Sequence, residues 1–342
     1  MKRLAFTTIA LALVAVGLGS LSLPLPAQEG SLRDRIRARL MQRQQSASAP
    51  EANAKADTPI TKPGDYTFSI QHDGLQRMYL VHVPQKYSPD SPAPLLVALH
   101  GGGGSMDYQA NDANYGQIGK SDREGFVALF PNGYSKMASG KLATWNAGNC
   151  CGPARDENVD DVGFIRRAVE NVTRQMNIDR NRIYATGMSN GALMAYRLAC
   201  DASDLFRGIA PVAGTDNTRA CEPKRPVSVL HFHALDDPNE VFTGGAGPNS
   251  KRKSMVTDFT AVPDSMAKWA RLNGCSTTPR RVLEKPGAYC QAYPGCRDNA
   301  KVELCVTETG GHSWPGAQKT RGEPASQAIS ANELMWDFFS RP

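Results

Sequence analysis

One segment, Asn181 to Leu198, restricts the local fold more narrowly than any other; it reads NRIYATGMSNGALMAYRL. Arg182 to Thr186 is a short β-prone run, Gly187-Met188-Ser189-Asn190-Gly191 follows at once, and Ala192 to Ala199 continues as an apolar-rich helix. This order of strand, tight turn and helix is what gives a G-x-S-x-G elbow its meaning. The glycines have a steric reason. Side chains two residues either side of the serine would collide with the flanking strand and helix, and the strained turn pushes the serine hydroxyl into the open.

The elbow sits in a longer alternation. Tyr66 to Gln71 and Arg77 to Val83 read as a hairpin about Asp73-Gly74. Pro94 to His100 (PLLVALH) is a continuous apolar run of the kind a strand buried on both faces requires, and Gly125 to Phe130 is another. Asp160 to Met176 is an amphipathic helix capped by Asp160. Beyond the elbow come strands at Gly208 to Val212, Val227 to Phe232 and Val302 to Thr307, with helices around Pro263 to Leu272 and Ser330 to Phe339. Strands alternating with helices predict the α/β class: a mostly parallel, doubly wound sheet with helices on both faces.

The amino-terminal part has a different character. Lys2 and Arg3 precede an apolar run from Leu4 to about Leu23, and Leu25-Pro26-Ala27 supplies a small-residue cleavage context, so residues 1–27 read as a signal peptide. A retained membrane anchor is the alternative, and Pro24 and Pro26 speak against it. Residues 28–65, rich in Arg, Gln, Ala, Ser and Pro, read as a flexible linker, which leaves 66–342 as the catalytic domain. Within the linker, residues 31–45 can form a basic helix with Leu32, Ile36 and Leu40 on one face. That favours weak contact with an anionic membrane surface; the plainer reading is a solvated tether.

Charge and cysteine content narrow the partners. The net charge is +6, but leader and linker carry most of it and the remainder is nearly neutral, which argues against nucleic acid. Eight cysteines in an exported chain read as disulfides rather than metal ligands. Cys200 with Cys221 is the expected pair, tying the end of the elbow helix to the loop after the next strand; Cys150 and Cys151 are each open to a partner elsewhere.

Functional loops of such a sheet lie at the carboxyl ends of its strands. After Leu99 the chain reads His100-Gly101-Gly102-Gly103-Gly104-Ser105, where missing side chains let backbone N–H groups of Gly102 or Gly103 face a developing oxyanion. The N–H of Asn190, next after the nucleophile, is the second donor. A glycine run can also cradle phosphate, but neither G-x-x-x-x-G-K-[ST] nor a G-x-G-x-x-G leading into a helix is present. A base and an acid should follow in the order Ser, Asp/Glu, His. Of six histidines only His312 lies beyond the final strand, in the turn-rich GGHSWPG; His231 and His233 lie on a strand and read as structural. The loop after Phe232 offers Asp236, Asp237 and Glu240 as the acid.

Together LHGGGGS, TWNAGNCCG followed by VDDVGF, GMSNGA, HALDDPNEV and GGHSWPG resemble the secreted polyhydroxybutyrate depolymerase and feruloyl/acetylxylan esterase group of the α/β-hydrolase superfamily, from about Tyr66 onward. The group's acid loop, H-G-x-A-D-x-x-V, aligns Asp237 as the acid, although Ala234 and Asp236 stand here where that pattern has Gly and Ala. The resemblance implies that Trp145, Asn146 and Trp314 line the substrate cleft, whereas from the residues alone both tryptophans are as readily core; the Cys150-Cys151 pair is likewise a feature of the group. The implied chemistry is carboxylic-ester hydrolysis without metal or organic cofactor. Ser189 attacks, His312 takes its proton, Asp237 orients the imidazole, and water resolves an acyl-enzyme. Hydroxyalkanoate esters are the leading substrate, feruloyl or acetyl esters of xylan the rival. A non-catalytic surface-binding protein on the same fold is the alternative of another class. The tail beyond His312 offers no appended binding module, which weakens the case for a degrader of crystalline polymer.

Overall fold

The computed structural model describes residues 58–250, 258–318 and 324–341; the expected leader, residues 31–45 and all but the end of the linker lie outside them. Ten strands form one sheet in the order β1-β2-β4-β3-β5-β6-β7-β10-β9-β8. The hairpin is β1 (Gly64–His72) with β2 (Leu75–Val83). Asp73 and Gly74 both adopt positive φ, 48° and 72°, the two-residue turn whose twist suits antiparallel strands. Strands β3 (Ala93–Leu99), β4 (Val127–Pro131), β5 (Ile178–Met188), β6 (Gly208–Val212), β7 (Ser228–Ala234) and β10 (Val302–Thr307) make the parallel centre. Ile60 is buried and its N–H donates to Gln175 O at 3.0 Å, so ordered contact starts ahead of the first strand.

The apolar runs are continuous because the sheet is covered twice. Leu95, Val97 and Leu99 of β3 join one core and Leu96 and Ala98 the other, the two-residue alternation of a strand divided between two hydrophobic layers. One layer meets α5 (Asp161–Gln175), α6 (Asn190–Asp201) and α7 (Val262–Leu272); the other meets α1 (Met106–Ala110), α2 (Asp112–Tyr115) and α8 (Ala331–Ser340). Asp160 caps α5 as expected, its carboxylate accepting the Gly163 N–H. The remaining helices are short, α3 (Gln117–Glu124) and α4 (Gly152–Asp156).

Two strands have no counterpart in the sequence reading: β8 (Arg280–Lys285) and β9 (Ala288–Tyr293), which extend the sheet antiparallel beyond β10. RRVLEK is exposed and charged, the composition that keeps a free sheet edge from pairing with other chains, and it shows no apolar alternation. Cys290 and Cys305, direct partners in the β9–β10 register, are disulfide-bonded. Cys200–Cys221 forms as expected, with Cys275–Cys296. Cys150 and Cys151 pair with each other rather than elsewhere.

Candidate active site

Ser189 closes β5 and opens α6 at φ 55°, ψ −125°, a conformation side-chain-bearing residues rarely adopt. The glycine requirement is more specific than clearance from the flanking elements. A Cβ on Gly191 would lie 2.4 Å from Leu99 O and 2.6 Å from His100 O, so it is the neighbouring strand that admits no side chain. A Cβ on Gly187 would sit 2.6 Å from the carbonyl of Gly191. From behind, the exit of β6 presses on the elbow: Val212 O accepts the Ser189 N–H at 2.9 Å, and a Cβ on Gly214 would be 2.5 Å from Ser189 O.

Two adjacent aspartates after β7 do different things. Asp237 Oδ2 accepts a hydrogen bond from His312 Nδ1 at 2.9 Å, with Oδ1 at 3.2 Å. A carboxylate only accepts, so Nδ1 carries the hydrogen and Nε2 is left with a lone pair for a serine proton. Burial works to raise the Asp237 pKa, but the hydrogen bond and charge of His312, the charge of His233 and the Asn239 N–H outweigh it, and the carboxyl ends below its ordinary range. Asp236 instead accepts the Gly311 N–H at 2.8 Å and so anchors the loop that carries His312. Glu240, the third acid of that loop, is buried; loss of hydration and the Asp237 charge hold its carboxyl protonated well above the usual glutamate range.

The glycine loop divides its amides. Gly103 N–H donates to Ala143 O at 2.8 Å and Gly104 N–H to Gly101 O at 3.0 Å. Gly103 is thereby removed from the expected oxyanion donors. Among the described residues no protein acceptor takes the N–H of Gly102 or of Asn190, and a Cβ on Gly102 would lie 3.5 Å from the Asn190 Cβ. His100, which sequence reasoning gave no role, shapes this loop. Its Nε2 accepts the Gly133 N–H at 2.9 Å, so Nδ1 bears the hydrogen and donates to Gly101 O at 2.8 Å. Burial lowers its pKa to about 4, which keeps it neutral.

Trp145 and Asn146 are buried, and neither lines the cleft beside His312. Trp145 is 0% exposed: its Nε1–H donates to His100 O at 2.9 Å, its N–H to Asn190 Oδ1 at 2.7 Å, and its carbonyl accepts from Asn190 Nδ2 at 3.1 Å. It braces Asn190, the residue beside Ser189, from within the core. Asn146 is held by Asp161, whose carboxylate accepts its N–H at 2.8 Å and also pairs with buried Arg77 at 2.6 Å, which accounts for the VDDVGF segment. Truncating Trp145 to alanine is expected to cost about 3–5 kcal/mol of stability, the range for a large buried aromatic, and chemical denaturation measures it. Trp314, by contrast, does line a cleft of about 400 Å³ together with Tyr108, Asn114, Tyr115, Met188 and His312. Tyr115 packs edge-on against both Trp314 and Tyr108, with centroids 5.3 and 5.9 Å apart.

A strained serine at the strand-to-helix turn, a histidine bound to a buried aspartate, and two unengaged amides at the carboxyl end of a parallel sheet define an α/β-hydrolase. The family described as Esterase PHB depolymerase matches residues 79–239. Feruloyl esterase C of Emericella nidulans is 30% identical over 269 residues, 77% of this chain and 83% of that protein. Feruloyl esterase B of Piromyces equi is 30% identical over 244 residues, 69% of this chain, which spans only 42% of that protein's length. The acetyl xylan esterase from Aspergillus awamori shares the fold, with a TM-score of 0.53 at 12% identity over 80% of this chain and 98% of that one. The chain belongs to this esterase family, the polyhydroxybutyrate depolymerase and feruloyl esterase group.

Proposed function

We propose that the protein is an exported serine carboxylic-ester hydrolase working through Ser189, His312 and Asp237, with the amides of Gly102 and Asn190 as oxyanion donors. The observation that carries this is the pairing of His312 Nδ1 with the Asp237 carboxylate, which leaves Nε2 available as a base; Met188, the residue before Ser189, lines the same cleft as His312. His312 takes the Ser189 proton as Oγ attacks the ester carbonyl, and returns it to the departing alcohol. Water then repeats the sequence on the acyl-enzyme. Export is supported by the leader sequence and by the pairing of all eight cysteines.

Two substrate classes are separable. The family's name favours hydroxyalkanoate esters. The aromatic cleft against His312, with Tyr108 half exposed at its mouth, favours a planar phenolic acyl group such as ferulate, as do relatives named feruloyl esterases. We take the feruloyl reading as the better supported. Rates on methyl ferulate, acetylated xylan and 3-hydroxybutyrate oligomers decide it: kcat/KM on methyl ferulate is expected to be at least about tenfold the highest of the others, since a desolvated aromatic contact supplies about 1.4 kcal/mol. Preference for hydroxybutyrate oligomers would restore the depolymerase reading.

A further inference from the structure

Glu240 is a buried carboxyl to which the reaction just described gives no task. It stands three residues beyond Asp237 and is 3% exposed. All three of its polar parts are engaged. The backbone N–H donates to Asp237 Oδ1 at 3.1 Å, beside the Asn239 N–H at 2.8 Å. The side-chain Oε2 accepts the N–H of Thr215 at 3.2 Å. Its carbonyl accepts from His233 Nε2 at 2.8 Å.

That last contact has a fixed direction. A carbonyl only accepts, so His233 Nε2 bears hydrogen and His233 Nδ1 must accept from His231 Nε2 at 3.1 Å. His231 Nδ1 then accepts from the Tyr196 hydroxyl at 2.8 Å. A buried chain of hydrogen bonds from α6 through β7 therefore ends on the Glu240 backbone, and burial lowers the pKa of both imidazoles. The side chain reaches the other way. Thr215 follows Gly214, the residue packed against Ser189 O, so one glutamate joins the turn that holds the acid to the segment that backs the nucleophile.

The groups facing Glu240 explain why its carboxyl must stay neutral. Asp237 is on the same turn, His233 approaches from β7, and His312 lies beyond Asp237. The one other charged pair on the β6 exit, Asp216 with Lys268 at 2.9 Å, is already compensated. A second negative charge here would lie against the Asp237 carboxylate on the same turn, which disfavours ionisation of Glu240.

We propose that Glu240 is a positioning residue, a buried side chain that clamps the Asp237 turn to the Thr215 segment beneath Ser189 and so keeps acid and nucleophile in register. This rests on the proposed esterase reading. Glu240→Gln keeps an acceptor for Thr215 and removes the titration; Glu240→Leu keeps volume and removes the acceptor. On methyl ferulate, Glu240→Leu is expected to lose about 30-fold in kcat with KM within about twofold, the pattern of a misplaced catalytic group. Glu240→Gln should stay within about threefold of wild type. The pH dependence of the melting temperature provides a readout independent of activity. The folded-state pKa of Glu240 is raised, so the folded protein binds the proton more tightly than the unfolded chain. Stability of the wild type therefore falls as pH rises above the ordinary glutamate range, and Glu240→Gln lacks that fall. The proposal is overturned if the leucine variant keeps wild-type kcat, if the glutamine variant loses as much as leucine, or if wild-type and glutamine melting temperatures run parallel from pH 5 to pH 9. Should the leucine variant fail to fold, the glutamine comparison alone decides. A wild type no more active than its Ser189→Ala control would reject the esterase reading instead, and leaves the melting test of Glu240 standing.

Discussion

Replacing Ser189 with alanine is expected to lower kcat on methyl ferulate by about 10⁵-fold or more, with KM changed little, because the nucleophile acts in the transition state and contributes little to ground-state binding. The same substitution should abolish labelling by a fluorophosphonate probe. Adding His312→Ala should cost almost nothing further, since members of a catalytic unit lose their effect together. The residual rate should still exceed that of water, through the Gly102 and Asn190 amides. Activity in Ser189→Ala within tenfold of wild type would rule out the mechanism. A wild type that the probe fails to label would point to the non-catalytic alternative.

Asp237→Asn is expected to cost about 10⁴-fold in kcat. The amide that replaces the carboxylate removes the charge facing the imidazolium and can present N–H to His312 Nδ1, which favours the wrong tautomer. Asp236→Asn should cost less than about tenfold, because an amide oxygen can still accept the Gly311 N–H and the residue never meets the imidazole. Comparing the two variants at one pH is a direct test of which aspartate serves the base. Equal losses would mean that anchoring the His312 loop matters as much as orienting its ring.

The legibility of this chain follows the range of the interactions concerned. The elbow, the hairpin turn, the Asp160 cap and the buried strands rest on contacts within a few residues or on two-residue alternation, and the sequence displays them. The charged edge strand β8 was hidden because its role is to avoid partners, so it lacks an apolar pattern. Trp145 was assigned to the cleft on resemblance. Aromatic residues beside a site serve as core or as lining, and only the surrounding packing distinguishes them. The use of Gly103 N–H by Ala143 likewise depends on a segment forty residues away.

By itself the sequence determined strands β1 to β7 and β10, the longer helices α5 to α8, the serine turn and the candidates for base and acid, since backbone sterics and local periodicity act along the chain. The tertiary structure alone decided that Asp237 rather than Asp236 meets His312, that vicinal Cys150 and Cys151 join each other, and that buried Glu240 joins the Asp237 turn to the Thr215 segment. Each of those outcomes is set by burial and by distances between residues remote in sequence, where a shift of one position exchanges a partner.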